Sequence, residues 1–140
     1  MITLHRWTAA VASCLALSTA MAETTPLTPE QVVRAYADAA SRHDVEALLA
    51  LYAPDVHKYR FPGTLTSEGR ENNREKYRKN FAENPELKVK ILELMVLEDK
   101  VIAHDLVTGL ASGKTSDELT VYQVSGGQIS NIVYVERQLR

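Results

Sequence analysis

The sequence predicts an α+β fold, and two observations carry the prediction. Helical periodicity is confined to the stretch ending near residue 82. Beyond it lie four long strand-like runs divided only by short Gly- or Asp-containing breaks, the pattern of an antiparallel meander. Helices first and strands last is an α+β layout.

In chain order, residues 1–22 (MITLHRWTAAVASCLALSTAMA) read as a secretory signal. Arg6 supplies the positive start, an apolar stretch runs from Trp7 to about Ala20, and Ala20-Met21-Ala22 forms a cleavage site before Glu23. The apolar stretch is too short to span a bilayer. Val11-Ala12-Ser13-Cys14 has the form of a lipoprotein box, which is the alternative fate of this segment. Plain cleavage leaves residues 23–140 as one Cys-free domain, expected in the periplasm or outside the cell, with no membrane attachment.

Thr28-Pro29-Glu30-Gln31 opens the first helix: Thr28 as N-cap, Pro29 at the first helical position, Gln31 completing a capping box. Val32, Val33, Ala35, Tyr36, Ala39 and Ala40 form its apolar stripe to about Arg42. Asp44 caps a second helix that Ala53-Pro54 ends. Val56 to Phe61 reads as a short strand, Pro62-Gly63 as a turn, and about Arg70 to Ala82 as a charged third helix with Tyr77 and Phe81 on one face. The β-runs are Leu87–Glu98, Val101–Ser112, Thr115–Ser125 and Ile129–Gln138. In the first of these both faces are apolar from Leu92 onward except at Glu93, so that strand is either bulged or covered on both sides.

Sixteen Lys and Arg against eighteen Asp and Glu give a net charge of −2, which argues against a nucleic-acid-binding surface. No phosphate loop, nucleophile elbow or catalytic triad is present. No spacing of His and acidic residues supports a metal site, and no cofactor is expected.

The element order, together with Tyr36-Ala37, His43-Asp44-Val45-Glu46-Ala47-Leu48, Leu51-Tyr52-Ala53-Pro54-Asp55-Val56, Pro62-Gly63, Glu68-Gly69-Arg70-Glu71 and Gly127-Gln128-Ile129, resembles the nuclear transport factor 2-like fold. Within it the chain resembles the SnoaL-like and steroid Δ-isomerase-like proteins from about Pro29 to Arg137. The resemblance implies a cone: three N-terminal helices packed on a curved antiparallel sheet around a pocket. It also implies an oxyanion-holding tyrosine at Tyr36, sixteen residues before Tyr52, and a protonated acid at Asp117. Tyr36 also reads as a core tyrosine, and Asp117 as part of a solvated turn, and the residues themselves favour these structural readings. The position of the isomerases' aspartate base is taken by Arg60, which cannot accept a proton at neutral pH.

A histidine would then be the base. His104 shares a face with Ile102, Leu106, Thr108 and Leu110, and His57 lies in a strand of open register. A one-residue slip there exchanges His57, Tyr59 and Phe61 for Lys58 and Arg60 on the inner face. The first expected function is a pocket for a small, largely apolar molecule, lined by Tyr36, Tyr52, His57, Tyr59, Phe61, His104 and Tyr134. The second is an isomerase-, hydratase- or cyclase-type enzyme using Tyr36, Asp117 and His104. The third is a homodimeric interaction module joined through the outer sheet face at Leu92, Leu94 and Val96. Fold alone does not choose among them.

Overall fold

The computed structural model describes residues 25–140, so the signal segment, its cleavage site and Cys14 lie outside the described residues. Helix α1 (Pro29–Ser41) begins as its residues require. The Thr28 hydroxyl accepts the Gln31 N–H at 3.3 Å, and the Gln31 carboxamide accepts the Thr28 N–H at 2.9 Å. Asp44 caps α2 (Val45–Ala50) by accepting the Ala47 N–H at 3.0 Å. There follow β1 (Tyr52–Arg60), β2 (Thr64–Glu68), α3 (Arg70–Glu83), β3 (Lys88–Leu97), β4 (Lys100–Thr108), β5 (Ser116–Ser125) and β6 (Gln128–Leu139).

The strands form one six-stranded sheet in the order β2-β1-β6-β5-β4-β3. Neighbours are antiparallel except β1 and β6, which run parallel. The helices lie on the inner face, with α1 against β3, β4 and β5. Val32 and Val33 of α1, Leu48 and Leu49 of α2, and Val56, Val101, Ile129 and Ile132 of the sheet are each at most 1 % exposed and form the core. Arg70 fixes the start of α3 by donating from Nε to the Tyr52 carbonyl at 2.9 Å. Asn73, buried in an otherwise charged helix, donates to the Gly69 carbonyl and accepts from the Ser67 hydroxyl, which binds α3 to β2.

Several expected boundaries move. Strand β1 starts at Tyr52, not Val56, and the hairpin partner β2 was not expected at all. Strand β4 stops at Thr108 and does not reach Ser112. Gly109 takes φ +71° there, against the backbone of Glu86.

Strand β3 does carry a bulge, with Leu92 as its extra residue between Ile91 and Glu93. The bulge changes which residues face outward. Leu94 pairs with buried Ala103 and Val96 with buried Val101, so both share the inner face. The expected outer patch of Leu92, Leu94 and Val96 is therefore corrected. Leu92, Met95 and Leu97 of β3 are exposed, as are Ile102 and Leu119 on the neighbouring strands.

Candidate functional site

Between the helices and the inner sheet face lies a cavity of about 780 Å³, within the size range that holds a small organic molecule. Phe81, Leu87, Val89, Val107 and Leu110 give it apolar walls. Tyr36, Lys58, Tyr77, Asp105, Glu118, Tyr122 and Tyr134 give it a polar interior. Arg60, Phe61, Lys76, Glu136 and Arg137 are exposed and line its outer part.

At one side three tyrosines converge. Tyr77, on α3, is the hub: its hydroxyl lies 2.9 Å from that of Tyr36 and 2.5 Å from that of Tyr52, and it accepts a hydrogen bond from Lys58 Nζ at 2.7 Å. In the two tyrosine pairs either oxygen can be the donor, and the cluster extends to Tyr134, which also meets Tyr36. Tyr36, Tyr77 and Tyr134 line the cavity, so their hydroxyls are available to a molecule bound there.

Burial holds the Tyr36, Tyr52 and Tyr77 hydroxyls well above the ordinary phenol pKa, so all three are neutral donors. Burial pushes the Tyr122 and Tyr134 hydroxyls up too. Lys58 sits over the rings of Tyr52 and Tyr77, 4.9 and 4.4 Å from their centroids. Burial first, and the Lys76 charge second, lower its pKa from 10.5 to about 7.

The other charged group is on the sheet. Asp105 of β4 and Glu118 of β5 are cross-strand partners on the inner face. Glu118 is provided for: the Ser116 hydroxyl donates to it at 2.8 Å, and Arg137 lies 2.8 Å away. Asp105 is not. It is 5 % exposed, and its Oδ1 is buried with no hydrogen-bond partner. Burial, with the Glu118 charge adding to it, raises the Asp105 pKa from 3.8 to about 6.

Several expected site residues are placed elsewhere. His104 and Asp117 lie on the outer sheet face, where His104 Nε2 meets Asp117 Oδ1 at 2.6 Å in a separate shallow pocket, and Arg140 lies 3.1 Å from Asp117. The residues beside them in sequence, Asp105 and Glu118, face the cavity instead. His57 and Tyr59 also point away. Their rings stack at 6.1 Å, and His57 lies 3.5 Å from Glu68. Strand β1 thus adopts the other register, with Lys58 and Arg60 inward. Tyr36, Phe61 and Tyr134 do line the cavity, and Tyr52 supports it from behind through Tyr77. Among the described residues no cluster of His, Cys, Asp and Glu is arranged to hold a metal.

Comparison with known proteins places the architecture. The SnoaL-like domain model matches residues 33–132. A cystatin-fold protein from Novosphingobium aromaticivorans is 20 % identical, with TM-score 0.72 over 79 % of this chain and 99 % of its own. IdmH from Streptomyces antibioticus, a proposed polyketide cyclase, is 19 % identical, with TM-score 0.67 over 78 % of this chain and 91 % of its own. A protein of ketosteroid isomerase-like fold from Catenulispora acidiphila, crystallised with trimethylamine, is 21 % identical, with TM-score 0.66 over 78 % and 87 %. No curated protein sequence is significantly similar to the chain.

Proposed function

The chain belongs to the SnoaL-like domain family, and on that premise we propose that it is an acid–base enzyme acting on a small carbonyl compound held in the cavity. One observation carries this reading: a neutral phenol, Tyr36, and a carboxylate with a pKa raised to about 6, Asp105, line one cavity. Enolisation needs that pair of groups. Asp105 takes the proton from the carbon beside the carbonyl, and the Tyr36 hydroxyl donates a hydrogen bond to the oxygen that becomes negative. Return of the proton to a different carbon is an isomerisation. Attack of the enolate carbon on a second carbonyl of the same molecule is a cyclisation. The position equivalent to the isomerases' base, Arg60, takes no proton, and a carboxylate with a pKa of about 6 supplies the base from β4 instead.

The test is deuterium uptake from D2O into a panel of small ketones, followed by NMR. Tyr36→Phe should slow uptake by about 10²–10³-fold, the effect of losing one oxyanion donor. A protein that only carries its ligand would lose no more than about one hydrogen bond of affinity, roughly 0.5–1.5 kcal/mol, and would catalyse no uptake.

Two further properties belong to the proposal. Residues 1–22 direct export and are removed before Glu23, so N-terminal sequencing of the exported protein should begin at Glu23. The exposed apolar residues of the outer sheet face join two copies of the chain, with Met95, Leu97 and Ile102 beside Leu92 in place of Leu94 and Val96. Met95→Asp should halve the mass seen by sedimentation equilibrium, and an unchanged mass would remove this face from consideration.

A further inference from the structure

The geometry points to Lys58 as an amine nucleophile that condenses with an aldehyde or ketone in the cavity to form an imine. Lys58 is 6 % exposed, yet it lines the cavity. The amine lies against the Tyr77 hydroxyl and the Tyr52 ring with the Lys76 charge nearby, and Arg60, Asp105 and Glu118 line the same cavity. Among the described residues none is a carboxylate in ion-pairing reach of the amine. A buried ammonium with no counter-ion, beside a second cation, gives up its proton readily, and burial lowers its pKa to about 7.

The one hydrogen bond of the amine among the described residues is the N–H that it donates to Tyr77 at 2.7 Å, which leaves the lone pair of the neutral form for a carbonyl carbon in the cavity.

The condensation balances without an oxidant or a reductant. The lone pair forms a C–N bond to the carbonyl carbon, and the C=O π pair moves to oxygen, which gains a proton. Nitrogen loses a proton, the C–O bond breaks, and the oxygen leaves as water. A C=N bond remains, with the amine's two hydrogens now in that water. The tyrosine hydroxyls supply the donors that the departing oxygen needs.

This inference uses the proposed cavity but not its proton-transfer chemistry. The decisive experiment is reductive trapping of the full-length folded protein with benzaldehyde and cyanoborohydride, followed by peptide mapping across pH 5–10. The remaining lysines, Lys76, Lys79, Lys88, Lys90, Lys100 and Lys114, are exposed and serve as internal standards. Lys58 should be modified at least about tenfold faster than any of them at pH 7, given the gap between its pKa and an ordinary lysine's. Its rate should rise through a midpoint near 7, and Lys58→Arg should abolish the fast adduct. The mapping on the unmutated chain decides the matter even if the Arg variant folds poorly. Adducts only on the exposed lysines would overturn the inference, as would a Lys58 rate that follows an ordinary lysine titration. Trapping at Lys58 with no deuterium uptake into ketones would retain the nucleophile and discard the enolisation reading.

Discussion

Asp105→Asn should slow ketone deuterium uptake by about 10²–10⁴-fold, the range for removal of a general base. The same substitution should make the protein more stable. Ionised Asp105 sits 5 % exposed, with Oδ1 unpartnered and Glu118 as its cross-strand neighbour. A carboxylate whose pKa is higher in the folded than in the unfolded chain is penalised when it ionises. Below about pH 4 the group is protonated in both states, and wild type and variant should not differ on this account. Between pH 4 and the folded pKa of about 6 the wild type should fall progressively behind. Above pH 6 the gap should be constant and on the order of 3 kcal/mol. Urea unfolding of both chains at pH 3.5, 5 and 7 measures it. An Asn variant that loses stability at pH 7, or exchanges ketone protons at the wild-type rate, would show that Asp105 is an ordinary structural carboxylate.

Gly109→Ala should destabilise the fold by about 3–5 kcal/mol, the scale of backbone clashes that cannot be relieved by a side-chain rotation. Gly109 has φ +71°, where an L side chain is already strained. A β-carbon placed there would lie 1.8 Å from the Glu86 carbonyl oxygen and 2.3 Å from its carbon. Both obstacles are backbone, so the end of β4 would have to pull away from the turn that leads into β3. Leu87 and Leu110 flank this contact and line the cavity, so the damage would extend to the site. Gly63 is the internal control. Nothing lies within 4 Å of its added carbon, and Gly63→Ala should stay within about 0.5 kcal/mol of wild type. Equal midpoints for the two variants in chemical denaturation would contradict this account.

What could be read from the residues, and what could not, has physical causes. The N-cap at Thr28 and the hairpin breaks were legible because they rest on local chemistry that tertiary context rarely overrides. Strand β2 was not. Only Ser67 of its five residues is buried, so it carries no apolar alternation. The register of β1 stays open in the sequence, and the expected lining of His57, Tyr59 and Phe61 holds only at Phe61, with Lys58 and Arg60 inside. Ordinary hydropathy supports that lining, but the fold departs from it where it builds a polar pocket. His104 was placed inward because Ile102, Leu106 and Leu110 flank it. The true inner row, Val101, Ala103, Asp105 and Val107, is just as apolar apart from its acid. With both faces of β4 apolar, period-two alternation cannot tell them apart. Tyr36 is legible in position, whereas its partner Tyr77 reads in the sequence only as one of two aromatic residues on a face of the third helix.

The single parallel pairing, β1 against β6, has a consequence in time. It joins the first described strand to the last, and it sets Arg60 beside Tyr134 in the cavity lining. Until β6 has been synthesised, β1 lacks a neighbour on that side and the cavity lacks a wall. Pairings this distant in sequence form slowly, because the long loop must close before the contact rewards it. The fold therefore cannot lock while the last segment is still unmade, and the export proposed above has that interval in which to begin.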